Sequence, residues 1–504
     1  MLKIFLPEIF FSISFLLQIV FNSRFIHKLS FNFPIIYKET FFQVLFIFLC
    51  LIGFYSILKL EGFFSNFLFV NDSGTIFLKN LFSVFSFFTL FFIARSLYLQ
   101  KINFFEYFSI FLISVFALLL LINTSDILSA YLIIEMQALS FYILASFKRE
   151  SSFSTEAGLK YFINGSFISG IFLFGACILY GCLGTLNFNS LSGLLAFPFT
   201  EEYEPLKLLI LLGSLLIIVT LFFKVAAAPF HSWSPDVYEG SPLASTIIFS
   251  ILPKASLLIF LIRWVLTLST IFLDIRFLFL IVAILSVFFG TFFAVRQKRI
   301  KRLVIYSSIA QVGFLMAPFF NLSVDSFSNL FFFLFIYLIT SVLVWGNIVN
   351  FYTNFYHFHN YSQKLKTFYI SNLAGLSKVN KIQAFSFIII LFSISGIPPF
   401  SGFLAKILIF LGLVEFKQIL VALILILLNM IAVYYYTRII KITFFEVKFL
   451  NRKNLEFQTT YKNFLHEISV FVLVFFMIAL CYIFFYPSLF YLGSHYIVLG
   501  IENF

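Results

Sequence analysis

Four ionisable residues stand inside long apolar runs: Glu135, Lys224, Lys254 and Lys406. Glu135 follows Asp126 by nine residues and precedes Lys148 by thirteen. Lys254 lies ten after Ala244 and nine before Arg263, Lys224 seven before His231, and Lys406 nine before Glu415. A charge at mid-membrane is costly and marks ion and proton paths. A lysine stem reaches roughly 6 Å, about four residues of helix rise, which rescues Lys224 at a stretch and Lys254 hardly at all. Glutamate is too short to reach the headgroups. Burial disfavours the charged form of either residue, and an opposite charge nearby restores it. A glutamate–lysine pair with a second lysine beside it is therefore a natural two-state proton relay. Lysine suits this task better than arginine, which stays protonated.

Prolines supply a second signal. "KVAAAPF" places Pro229 late in one run, and "SISGIPPFSGFLAK" places Gly396, Pro398, Pro399 and Gly402 within another, just before Lys406. Each proline removes a backbone donor and breaks a helix. The freed backbone groups are tolerable at depth only beside water or protein. Two interrupted spans, five apart in the count and each with a lysine, match transporters built from inverted repeats with the ion site at the breaks.

The elements that must position these residues are membrane helices. Of 504 residues, 62% are hydrophobic and 11% charged, against about 25% charged in soluble domains. The expected fold is all-α and polytopic, with about fourteen transmembrane helices, two inverted five-helix repeats, and breaks in helices 7 and 12. The spans begin with 5–22, 41–60, 76–94, 107–123, 127–147, 157–182 and 206–230. They continue with 241–262, 272–294, 303–321, 328–352, 383–412, 416–440 and 467–490. Within a single membrane domain, helices 1–3 occupy 1–104, the first repeat 105–264, the second 265–445, and a C-terminal loop with helix 14 the remainder to 504.

The net charge of +12 is distributed by loop. Arg24, Lys28, Lys38, Arg95, Lys101, Lys148, Arg149, the Arg296–Arg302 group, Lys364, Lys366, Lys378, Lys381 and the Arg438–Lys462 group follow odd-numbered spans. Asp72, Asp126, Glu201–Glu202–Tyr203–Glu204, Asp274, Asp325 and Glu415 follow even-numbered ones. This is the positive-inside asymmetry rather than a nucleic-acid surface, and it puts both termini opposite the basic loops. "MLKIFLPEIFF" enters the first span without a transit or cleavage segment. Cys50, Cys177, Cys182 and Cys481 form no CxxC pair, and His357 and His359 fall in a polar loop, so no metal or cofactor is expected on this chain. The 82 phenylalanines, with abundant Ile, Tyr, Asn and Lys, suit an A/T-rich organelle genome.

Three segments carry a resemblance: "STEAGLKYFINGSFISGIFLFGACILYG" (154–181), "FKVAAAPFHSWSPDVYEGSP" (223–242) and "IKRLVIYSSIAQVGFL" (300–315). They resemble the N-type antiporter-like subunits (subunit 2) of respiratory complex I, NADH:ubiquinone oxidoreductase. "PEIFFSISFLL" and "DILSAYLIIEMQALSFYILASF" fit the same family, so the likeness spans essentially the whole chain. The resemblance implies proton transfer through Glu135 and Lys224 on helices 5 and 7, Lys254 on helix 8, and Lys406 at the broken helix 12. It implies NADH, FMN, iron–sulfur clusters and ubiquinone on partner subunits, with a neighbouring antiporter-like subunit and a small K-type subunit beside this one. Membrane lipids such as cardiolipin suit the basic loops. The implied setting is the mitochondrial inner membrane, with basic loops in the matrix.

In helix 10 this chain has Gln311 where related subunits often carry a titratable relay. Glutamine orders water but carries no proton of its own. Lys160, near the start of span 6, reads equally as a snorkelling lysine, and Asp236 and Glu239 as caps of the link between spans 7 and 8. Two other classes stay open on sequence: a stand-alone cation/proton antiporter, and a spacer that conducts nothing. A chloroplast form of the complex is a variant of the first reading.

Overall fold

A computed structural model describes residues 5–26, 33–57, 62–64, 68–100, 102, 105–196, 204–269, 272–356, 369–446 and 464–502. Lys28, Lys101, Glu201, Glu202, Tyr203, His357, His359, Lys364, Lys366 and Lys462 lie outside the described residues. The chain runs through α1 (Leu6–Ile26), α2 (Phe33–Ile57), a small hairpin of β1 (Gly62–Phe64) and β2 (Phe69–Asn71), then α3 (Ser73–Leu99), α4 (Glu106–Ile122) and α5 (Ile127–Ser146). It continues with α6 (Ser152–Leu183), the short α7 (Phe188–Leu195), α8 (Glu204–Val225), α9 (Trp233–Gly240), α10 (Leu243–Thr267) and α11 (Phe272–Arg296). The last part is α12 (Ile300–Met316), α13 (Val324–Tyr356), α14 (Leu376–Val379), α15 (Lys381–Ser395), α16 (Ser401–Glu415), α17 (Ile419–Phe444), α18 (Phe464–Phe485) and α19 (Pro487–Glu502).

Eleven of these helices are long and apolar enough to cross a membrane, and Leu6–Asn22, Glu106–Ile122 and Lys381–Ser395 are shorter apolar helices. Together they occupy the fourteen expected spans. A bilayer offers the backbone no hydrogen bonds, so runs of apolar residues fold as helices that satisfy their own. α10 and α13 are buried almost throughout, whereas α5, α6 and α8 turn leucine and phenylalanine outward.

The breaks follow from proline geometry. A proline ring collides with the carbonyl four residues earlier, and Pro229 and Pro399 stand four after Val225 and Ser395, the last residues of α8 and α15. Span 7 therefore ends as a helix at Val225 rather than running to residue 230, and resumes as α9. Each break opens with a left-handed residue, Ala226 (φ 63°) or Gly396 (φ 78°), three before a cis proline. The last expected span also divides, at Pro487, into α18 and α19.

Packing repeats along the chain. α4 packs on α5 and α10, and α6 on α8; in the next five spans α11 packs on α12 and α17, and α13 on α15 and α16. α10 also meets α13, joining the two halves, while α3, α18 and α19 wrap α13. Arg95, expected in a loop, lies in the last turns of α3, because that helix runs on to Leu99. Its guanidinium is buried against Asn350 and Ser469.

Candidate functional site

Glu135 sits on a stripe of α5 with Leu128, Leu132, Leu139 and Ile143, all outward-facing, at the three- and four-residue steps that share a helix face. Glu135 itself is half-buried, and its Oε1 is shielded without a hydrogen bond. It acts electrostatically on Lys224 and on the hydroxyls of Tyr131 and Tyr142. Lys224 occupies the last turn of α8, where the helix dipole favours a cation. Glu135 and Lys224 thus share one electrostatic environment without forming a hydrogen-bonded ion pair. Around the break, the Trp233 indole donates to the Phe223 carbonyl (3.1 Å) and stacks on Tyr161 at 5.0 Å between ring centroids.

Lys254 lies in the middle of α10 and is only 2% exposed. Its Nζ donates to the Ser308 hydroxyl of α12 at 3.1 Å and lies 5.5 Å from the centre of the Tyr337 ring. Pro253, directly before it, leaves the Phe249 carbonyl without its helical donor. The Tyr238 hydroxyl takes that carbonyl at 3.1 Å, and the Tyr337 hydroxyl takes the Ser250 carbonyl beside it at 2.8 Å. Tyrosines from α9 and α13 therefore anchor the segment that carries Lys254. Neither Pro253 nor Ser308 was foreseen; the proline next to a mid-span lysine was the available signal.

Lys406 is 3% exposed and reaches from α16 back across the second break. Its Nζ donates to the Ile394 carbonyl (2.8 Å), the Ser395 carbonyl (3.1 Å) and Asn429 Oδ1 (2.7 Å), with the Phe314 ring 5.0 Å away. Gln311 Nε2 donates to the same Ile394 carbonyl at 3.2 Å. Ser308 and Gln311 are three residues apart, hence on one face of α12. That face touches Lys254 at one end and the oxygens around Lys406 at the other. Pro398 and Pro399, like Pro229, shape the backbone that exposes these oxygens.

Lys160 sits apart, about half-exposed, paired with Glu156 (2.8 Å) and Asp236 (3.7 Å). Asp236 and Glu239 do more than cap the link. Arg299 pairs with Glu239 at 2.5 Å, Arg302 reaches Asp236 at 3.4 Å, and Lys301 donates to the Ser241 carbonyl at 3.2 Å. These charges clip α6 and α9 to the start of α12. A second buried cluster was also missed: Lys79 of α3, fully buried, pairs with Glu8 and donates to Asn71 at 2.7 Å. Tyr55 donates to Glu8 at 3.2 Å, and Arg263 pairs with Asp72 at 3.1 Å. No cluster of three or more potential metal ligands occurs among the described residues.

A family model described as "NADH:quinone oxidoreductase/Mrp antiporter, TM" matches residues 124–432. The chain belongs to this family. The match contains Glu135, Lys224, Lys254, Gln311 and Lys406, and leaves out Glu8, Lys79 and Arg95. Over 380 residues the chain is 37% identical to NADH-ubiquinone oxidoreductase chain 2 of Marchantia polymorpha, covering 75% of this chain and 73% of that one. It is 36% identical over 330 residues to NADH-quinone oxidoreductase subunit N of Paramagnetospirillum magneticum, covering 64% and 65%. A chain of respiratory complex I from Thermus thermophilus shares the fold, with a TM-score of 0.74 at 22% identity over 96% of this chain and 98% of that one. Within the family, this chain is an antiporter-like membrane subunit of the chain 2 and subunit N type.

Proposed function

We propose that this chain is a proton-translocating core subunit in the membrane arm of a respiratory complex I, of the type its relatives' names describe. NADH oxidation and quinone reduction, with FMN, iron–sulfur clusters and ubiquinone, belong to partner subunits; this chain moves protons. The observation that carries the reading is the connection across α12. Lys254 donates to Ser308, Gln311 lies one turn along the same face, and Lys406 shares the Ile394 carbonyl with Gln311. Glu135 and Lys224 form the entry pair of the first repeat (105–264), Lys254 passes the proton on, and Lys406 receives it in the second (265–445). The paired packing of the two halves supports that division, and five spans being odd, the second repeat runs inverted. Gln311 orders water between the two lysines, since glutamine holds no exchangeable charge. Lys160 serves the surface charge network and not the path.

Neighbours in this reading are an antiporter-like subunit, a small K-type subunit and anionic lipids such as cardiolipin. The mitochondrial inner membrane, with basic loops in the matrix and both termini opposite, is favoured by the phenylalanine-rich composition and the loop charges. A stand-alone cation/proton antiporter is the second reading, kept because the family description also covers Mrp antiporters. Replacing Lys254 by Met separates proton conduction from scaffolding. In an assembled complex the variant loses proton pumping together with NADH:quinone turnover, and normal pumping there would remove Lys254 from the path.

A further inference from the structure

Lys406 carries a charge into the membrane without a carboxylate within ion-pair distance among the described residues. An ammonium has three N–H donors and no acceptor, and Lys406 Nζ has three oxygens around it, at 2.7, 2.8 and 3.1 Å. Two are the last carbonyls of α15, left without helical partners because the helix stops there, at the negative end of its dipole. The third is Asn429 Oδ1, on α17. Asn429 is itself oriented, since its Nδ2 donates to the Ser395 carbonyl at 3.1 Å. Its oxygen therefore faces the lysine and its nitrogen the backbone. The repeat gives an independent pointer. Lys254 lies eleven residues after the first residue of α10, and Asn429 ten after the first of α17, the helix that packs in the second half as α10 does in the first.

We propose that Asn429 is the positioning residue for Lys406. It completes an oxygen cage that fits the protonated amine, whereas a neutral amine has only two N–H donors for the same three oxygens. The cage holds the proton at the break until the lysine head moves. This rests on the reading of Lys406 as a proton-transfer group. Movement of α17 against α15 and α16 would then open the cage and let the proton leave.

Leucine and aspartate share the branched four-atom side-chain skeleton of asparagine, but only aspartate keeps an oxygen. The test is NADH-driven proton uptake by sealed membrane vesicles bearing Asn429→Leu, Asn429→Asp, Lys406→Met or Asn429→Leu with Lys406→Met, normalised to assembled complex on a native gel. Asn429→Leu is expected to lower coupled turnover about tenfold, and Asn429→Asp to lower it less, since aspartate keeps the oxygen facing Lys406 but loses the donor to the Ser395 carbonyl. Asn429→Leu should add nothing to Lys406→Met. A packing role predicts the reverse ranking, because leucine suits an apolar span and aspartate does not. Aspartate the worse of the two, or effects that multiply in the double variant, would overturn the assignment. Should the leucine variant fail to assemble, an assembled but inactive Asn429→Asp would overturn it as well. Full turnover in Lys406→Met would instead defeat the proton-transfer reading of Lys406, and this proposal with it.

Discussion

A lysine at mid-depth needs acceptors, and the two central ones obtain them differently. Lys254 relies on the Ser308 hydroxyl (3.1 Å), a longer contact to the Ser308 carbonyl (3.5 Å) and the face of Tyr337, Lys406 on three oxygens at 2.7, 2.8 and 3.1 Å. Lys254 is thus the more loosely held, which suits a group that passes a proton between halves. Lys254→Met should lower NADH:quinone turnover about tenfold or more while assembly persists, since it removes the titrating group but keeps most of the stem's packing. Proton uptake by vesicles carrying that variant reports it directly. Glu135→Gln should lower turnover more than Glu239→Gln, because Glu239 is already held by Arg299 and Arg302, whereas Glu135 Oε1 is shielded without a hydrogen bond. The opposite ranking would mean that the proton path begins at Glu239. All four charges stand out in the sequence, because charge inside an apolar run has few innocent explanations. Ser308 and Asn429 do not, since most serines in these spans bond only their own helix and the partner of an asparagine depends on which helices meet. Lys79 was overlooked for another reason. It lies near a helix start, where snorkelling is the ordinary expectation, and only the fold shows Glu8 beside it.

Among the elements, both breaks were legible from proline. In both, a proline stands four residues after the last helical residue, Val225 or Ser395, whose carbonyl its ring would meet. Gly396 has φ +78°, and a Cβ there would lie 2.9 Å from Lys406 Cδ. Gly396→Ala should therefore destabilise the break by about 1–2 kcal/mol and push Lys406 out of its cage. Less assembled complex and lower turnover per assembled complex would both be seen, by native gel and by vesicle assay. Ala226→Gly, at the first break, relieves a left-handed alanine (φ +63°) and should be tolerated or mildly stabilising. A loss of assembly in Ala226→Gly would show that the alanine methyl, not the backbone, holds that turn. The hairpin, α7 and the splitting of α18 from α19 escaped the sequence, because hydropathy windows of span length blur segments of three to sixteen residues.

For the whole molecule, composition and loop charge gave the class and the count, because lipid imposes one solution on apolar runs. What they could not give is which helices touch. That α12 lies between Lys254 and Lys406, and that Glu135 shares an outward stripe with four exposed aliphatic residues, depends on the rotation of each helix about its axis. A half-buried glutamate on an outer face is reasonable in a subunit that is covered by neighbours. A chain working alone would leave it against lipid. Glu135 on that face therefore calls for a neighbouring subunit in a larger redox complex. The most direct measurement is a native gel of mildly solubilised membranes stained for NADH oxidation, followed by mass spectrometry of the active band. Peptides of this chain are expected in that large band, at one copy per complex. Peptides found only apart from NADH-oxidising activity would contradict that placement and require the same lysines to be reread as a cation path.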